Sequence, residues 1–217
     1  NFIASDIPAI LEHTRRVYIL KDGEMAVLTK DNIDVFQLDG TPVEPDITTI
    51  EWDLTQAEKA GYDHFMLKEI HEQPKAITDT LSGRIQSLKV DLSNGLALGE
   101  AELKNIDRIH FVACGTAYHA GMVGKYVLEE LTRIPVEVDI ASEYRYRNPI
   151  ITNRTLVVVV SQSGETADTL AALREAKKNG ARVVAITNVV GSSVAREADD
   201  VLTTWAGPEI AVASTKA

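Results

Sequence analysis

Between residues 106 and 204 the apolar positions form short β-branched runs, separated by longer stretches with helical spacing. Ile109 to Cys114, Val136 to Ile140, Thr155 to Val160, Val183 to Thr187 and Val201 to Thr204 are predicted strands. Gly115 to about Leu131 and Ala167 to Lys178 are predicted helices, the second stopped by Gly180. The unbroken run Val157 to Val160 is the pattern of a strand covered on both faces. Strand and helix alternating at this spacing predict an α/β fold, a parallel sheet with helices on both sides. Ligands of such sheets bind beyond the carboxyl ends of the strands. One rim should therefore collect Cys114-Gly115-Thr116, Ser161 to Thr166, and Thr187-Asn188.

Residues 1–59 have a different texture. Short alternating runs, Arg16 to Leu20 and Glu24 to Thr29, flank Asp22-Gly23, which predicts a hairpin. Ile33 to Leu38 follows, and Asp39-Gly40 predicts a second turn. This is an antiparallel meander, too thin to stand alone and expected to complete a larger domain. Residues 60–81 form the joint. Tyr62 to Ile70 has helical spacing, with Phe65, Met66 and Ile70 on one face, and Ile77 and Leu81 continue that stripe beyond an interruption at Pro74. Asn94-Gly95 lies in a polar connection to the α/β region.

Composition narrows the function classes. The 217 residues are 45% hydrophobic and 25% charged, the balance of a folded globular chain. A net charge of −10 argues against nucleic acid as a partner, because phosphate backbones demand basic surface. No apolar run approaches the roughly 20 residues of a membrane span. Cys114 is the sole cysteine, which excludes an intrachain disulfide and favours a cytoplasmic setting. The five histidines show no metal-ligand spacing, and neither a cofactor nor a metal is expected. The chain starts at Asn1 rather than Met, and Ala213 to Ala217 resemble the opening of a further helix. Both ends are expected to be cuts through a longer polypeptide.

The chemistry concentrates in Ser161-Gln162-Ser163-Gly164-Glu165-Thr166. A buried strand ending in a small polar turn before a helix is an anion-binding geometry, because first-turn N–H groups have no intrahelical acceptor. Ser161, Ser163 and Thr166 add hydroxyl donors, and the turn contains neither Lys nor Arg. The competing reading is a simple cap, with Ser163 or Thr166 as the capping residue. A cap uses one hydroxyl and leaves the others unexplained. The turn is neither a P-loop nor a dinucleotide fingerprint, for it lacks the Lys of one and the glycine spacing of the other. Cys114 and His119 are expected to be packing and helix-face residues. Gly191-Ser192-Ser193 is as well explained by a cap as by a ligand, and Glu143 to Arg147 reads as a solvated or interface helix turn.

Taken together these segments resemble the glutamine–fructose-6-phosphate aminotransferase (isomerizing) family. The motifs that carry the resemblance are Phe2 to Asp6, Met66 to Pro74, Phe111 to Thr116, Ser161 to Thr169 and Glu209 to Ala217. It implies that residues 1–59 end a glutaminase domain of the Ntn type, 60–81 are a linker and first helix, and 82–217 form a first sugar-isomerase (SIS) subdomain. The implied reaction converts fructose 6-phosphate and glutamine into glucosamine 6-phosphate and glutamate, in a homodimer. The resemblance assigns Ser161, Gln162, Ser163 and Thr166 to the sugar phosphate, Thr116 and Ser214 to the sugar, and Val212 to a backbone contact with it. Ala117 stands where members often have Ser, and Ala211 where Gly is usual. The family's glutaminase nucleophile and the Glu, His and Lys that transform the sugar have no counterpart here. The chain is expected to bind rather than catalyse. The alternative is a non-catalytic sugar-phosphate-sensing module.

Overall fold

The computed structural model describes residues 1–4, 10, 13–50 and 59–217. Two compact units divide the chain, Asn1–Gly61 and Tyr62–Ala217. The first contains β1 (Arg16–Val17), β2 (Glu24–Leu28), β3 (Ile33–Gln37), β4 (Pro42–Val43) and β5 (Thr48–Thr49), all paired antiparallel. Asp39-Gly40 makes the expected turn, with Gly40 at φ +87° between β3 and β4. The hairpin expected at Asp22-Gly23 is absent. β1 pairs with β5, and the hairpin is β2–β3, closed where Thr29 and Asn32 exchange backbone and hydroxyl bonds. Gly23 still takes φ +84°, so its dipeptide bends the chain without joining the strands around it. Ser5 and Asp6 of the first motif lie outside the described residues.

The second unit opens with α1 (Phe65–Leu81), continuous through Pro74. Its buried positions are Lys68, Glu69 and Ala76, whereas Met66, Ile70, Ile77 and Leu81 of the expected apolar stripe are exposed. Helical periodicity located the helix but not the face it packs with. A small hairpin, β6 (Ile85–Gln86) and β7 (Lys89–Val90), and α2 (Glu100–Asn105) lead into the sheet. Gly95 is more than connection: its carbonyl accepts from Val201 N–H, and a Cβ there would lie 2.2 Å from the Val201 carbonyl oxygen.

The sheet comprises β8 (Arg108–Ala113), β9 (Val136–Ile140), β10 (Thr155–Ser161), β11 (Arg182–Thr187) and β12 (Asp200–Thr203). The order is β12-β11-β10-β8-β9, with every pair parallel. Between them run α3 (Gly115–Thr132), α4 (Ala141–Tyr144), α5 (Ala167–Lys178) and α6 (Ser193–Glu197). The two-residue strand period sends alternate valines to two cores. Val157 and Val159 join Val112, Tyr144, Ala172, Leu173 and Val194 on the α5 side. Val158 joins Ile109, Phe111 and Val136, with Leu128 of α3, on the other. Gly121 and Gly124 let α3 approach closely, since a Cβ on Gly124 would come 2.9 Å from the Phe111 ring. Among the described residues no helix is long and apolar enough to cross a membrane.

Candidate functional site

The parallel register decides where the polar turns meet. Ser161 pairs with Thr187 across β10–β11, and Thr187 pairs with Thr203 across β11–β12. Hydroxyl residues thus stand in one row at the carboxyl ends of three strands. Beyond that row lies a cavity of about 270 Å³. Its polar lining comes from Thr116 at the start of α3, Ser161 and Gln162 at the end of β10, Thr187 and Asn188 at the end of β11, Thr204 after β12, and Ser214 and Thr215 near the chain end. Among the described residues no Lys or Arg lines it.

Gly164 shapes the turn. It adopts φ +67°, where only glycine is unstrained, and an added Cβ would lie 2.0 Å from Ser192 Oγ. The Gly164 N–H donates to Ser161 Oγ at 3.1 Å, and its carbonyl accepts from Val194 N–H at 3.0 Å. Ser161 is buried, with Oγ 3.2 Å from Thr166 Oγ1, while Ser163 Oγ accepts from Glu165 N–H. Glu165 Oε1 in turn accepts from Ser193 N–H at 2.8 Å. The turn is therefore braced against the start of α6, where Ser192 is the cap. Thr166, not Ser163, occupies the N-cap of α5, and its hydroxyl bonds no first-turn N–H. The N–H groups of that turn are left without a side-chain cap.

Asn188 holds the opposite wall. Its Nδ2 donates to the Gly207 carbonyl at 2.7 Å, and its Oδ1 accepts from Ala206 N–H at 3.0 Å. Ala213 to Ala217, expected to open a helix, are not helical; residues 209–217 fold about Glu209, whose Oε1 accepts from Thr215 and Lys216 N–H. Of the residues singled out in the sequence, Thr116, Ser161, Gln162 and Ser214 line the cavity. Ser163 and Thr166 belong to the adjoining turn, where their hydroxyls bond within it, and Val212 is fully exposed. Thr215 was missed: it lines the cavity, and its Oγ1 is buried without a hydrogen-bond partner. Ala117 lines the cavity too. Cys114 is half-buried against the α5-side core, and His119 is exposed on α3, edge-on to Tyr118.

One polar cluster lies away from the cavity. Glu143, Arg145, Tyr146 and Arg147 of the expected solvated turn are exposed, and Tyr144 between them is completely buried, its ring edge-on to His110. Potential ligand atoms of His110, Glu137 and Asp139 fall within 4.8 Å of one another, a grouping that sequence spacing did not reveal. The carboxylates are already taken. Arg147 binds Asp139 through two nitrogens, at 3.0 and 2.6 Å, and reaches Glu137 at 3.1 Å. This raises the Arg147 pKa and makes the cluster an ion-pair network rather than a cation site.

Comparison with known proteins bears on the whole unit. The SIS domain family matches residues 102–217, more than half of the chain. The chain belongs to the SIS domain family. Along all of its length it is also 64% identical to the glutamine–fructose-6-phosphate aminotransferase (isomerizing) of Clostridium acetobutylicum, and 52% identical to that of Thermus thermophilus. It spans only 36% and 35% of those two proteins. Among solved structures, the C-terminal domain of the Francisella tularensis glucosamine-fructose-6-phosphate aminotransferase superposes with a TM-score of 0.68 at 44% identity, covering 73% of this chain and 45% of that one. A glucosamine-6-phosphate deaminase from Thermotoga maritima gives 0.56 at 25% identity, over 70% and 43% of the two chains. The SIS sheet is thus the fold shared with enzymes named for hexosamine phosphates.

Proposed function

We propose that this SIS unit binds the sugar phosphate of a glutamine:fructose-6-phosphate amidotransferase, the enzyme that forms glucosamine 6-phosphate and glutamate. The observation that carries the proposal is the uncharged cavity at the carboxyl rim, bordered by a phosphate-type turn, in a chain similar throughout to such enzymes. Residues 1–59 are then the end of a glutaminase domain, 60–81 the linker and first helix, and 82–217 the first SIS subdomain. Glutamine would be consumed in the remainder of the glutaminase domain. The enzyme would be a cytoplasmic homodimer.

Each part of the site has a physical role in this reading. Ser161, Gln162, Ser163 and Thr166 hold the phosphate together with first-turn N–H groups of α5, whose partial positive charge favours an anion. Ser161 Oγ accepts from Gly164 N–H and shares a hydrogen bond with Thr166 Oγ1, so one of the two hydroxyl protons is left to donate to a ligand. Thr116, Ser214 and the Val212 backbone meet the sugar hydroxyls. Neutral donors suit a ligand that must leave again as product, because they hold it without a full ion pair. No group here opens the ring or moves its proton, and those steps fall to residues outside this chain.

The test is Ser163→Ala combined with Thr166→Ala in the full-length enzyme. Loss of two hydrogen bonds to a charged group predicts a rise of about tenfold or more in the Michaelis constant for fructose 6-phosphate. Glutamine hydrolysis without sugar should keep its rate. Unchanged sugar kinetics, with only glutamine hydrolysis impaired, would refute the assignment.

A further inference from the structure

Glu69 is 2% exposed, although it lies on a helix whose large apolar residues face outward. A buried carboxylate is costly unless hydrogen bonds replace its water. Here they come from a segment about 140 residues away. Glu69 Oε1 accepts from Ile210 N–H at 2.6 Å and from Ala211 N–H at 3.2 Å, and Oε2 lies 3.3 Å from Ala211 N. One helical turn on, Gln73 Nε2 donates to the Thr215 carbonyl at 2.6 Å. Glu72 pairs with the Lys216 ammonium at 2.5 Å. Residues 209–217 contain no helix or strand, so their backbone groups must find partners elsewhere. The polar face of α1 supplies those of Ile210 and Ala211 N–H and of the Thr215 carbonyl, while Glu209 takes Thr215 and Lys216 N–H. Glu69 itself does not line the cavity, but the segment it grips delivers Ser214 and Thr215 to the cavity wall.

We propose that Glu69 is a positioning residue for the sugar end of the site. It fixes segment 209–216 so that Ser214 and Thr215 face the sugar hydroxyls, while the phosphate end at Ser161 to Thr166 is braced separately by α6. The proposal rests on the sugar-phosphate reading of the cavity and assigns its two ends to two different supports. It also accounts for the glutamate buried on α1, which helical periodicity placed outside the core.

The experiment titrates fructose 6-phosphate and inorganic phosphate separately into the full-length enzyme by calorimetry, with melting temperatures recorded for every variant. In Glu69→Ala, loss of charged hydrogen bonds predicts sugar-phosphate affinity weakened about tenfold or more, with inorganic phosphate held within about twofold. Glu69→Gln keeps an acceptor oxygen and should recover most of the sugar affinity. Gln73→Ala, which cuts the bond to Thr215, should show the same split in milder form and serves if Glu69→Ala does not fold. Equal losses for both ligands in a folded variant would overturn the positioning role, as would wild-type sugar affinity in the Glu69→Ala and Gln73→Ala variants. A wild-type enzyme that binds neither ligand would overturn the cavity reading first, and this proposal with it.

Discussion

His110 shows how a single residue can set the acid limit of this fold. It is completely buried on β8, and neither ring nitrogen has a hydrogen-bond partner. Burial lowers its pKa below the usual 6.5; nearby Glu137 and Asp139 pull the other way and do not compensate. The folded protein therefore holds His110 neutral, whereas the unfolded chain protonates it near the ordinary value. A depressed folded pKa contributes stability that is present above the unfolded pKa and lost as pH falls toward the folded one. The melting temperature should consequently drop as pH is lowered from about 7 to about 5.5, the range around the ordinary histidine pKa. His110→Leu should flatten that slope, since it removes the titrating group without stranding a partner. Equal slopes in thermal melts of the two proteins would refute the assignment. Nothing in the sequence marked this histidine as special, because its neighbours in space come from β9 and α4. Only strand pairing, His110 opposite Glu137, brings them together.

At the scale of elements, the turn between β10 and α5 is the most demanding local structure. Replacing Gly164 with Ala adds a methyl 2.0 Å from Ser192 Oγ and forces a left-handed residue without glycine's freedom. Strain and overpacking together predict a loss of about 2–4 kcal/mol in unfolding free energy. Sugar-phosphate affinity should fall with it, because the same substitution displaces the Ser161 hydroxyl from the Gly164 N–H. Denaturant unfolding and ligand titration on one preparation check both; wild-type stability would show that α6 yields to the methyl. The turn was legible in sequence because its signals are local: a β-branched run, a glycine among hydroxyls, then helical spacing. The strands of the sheet were legible for the same reason, and their boundaries differ from expectation by a residue or so. Errors arose where tertiary contacts overrode a local signal. Pro74 removes one backbone donor from α1, yet the helix continues, held by Gln73 and Thr80 bonding Thr215 and Trp205. Asp22-Gly23 turns as its composition demands, but β1 is captured by β5. Glu69 and Thr215 could not be recognised as site components, because their partners lie beyond the reach of any periodicity.

Across the whole molecule, the two ends of the parallel sheet carry different electrostatics. Arg108, Arg154 and Arg182 stand at or just before the amino ends of β8, β10 and β11 and are paired with Glu137, Asp107 and Asp200. The carboxyl ends present neutral hydroxyls and, among the described residues, no cation to the cavity. The chain as a whole carries a net charge of −10. On the sugar-phosphate reading of the cavity, a phosphate dianion would approach an overall repulsive field and be held by short-range dipoles and hydrogen bonds. Added salt weakens cation–phosphate contacts but screens repulsion from distant carboxylates, with a Debye length near 10 Å at 0.1 M. For this 217-residue chain, raising NaCl from about 20 to about 200 mM should change fructose 6-phosphate affinity by less than about twofold, and in the direction of tighter binding. Calorimetric titration at pH 8, where the phosphate is fully ionised, measures it directly. A several-fold loss of affinity over that range would mean that a lysine or arginine reaches the phosphate, and that neutral donors are not what holds it.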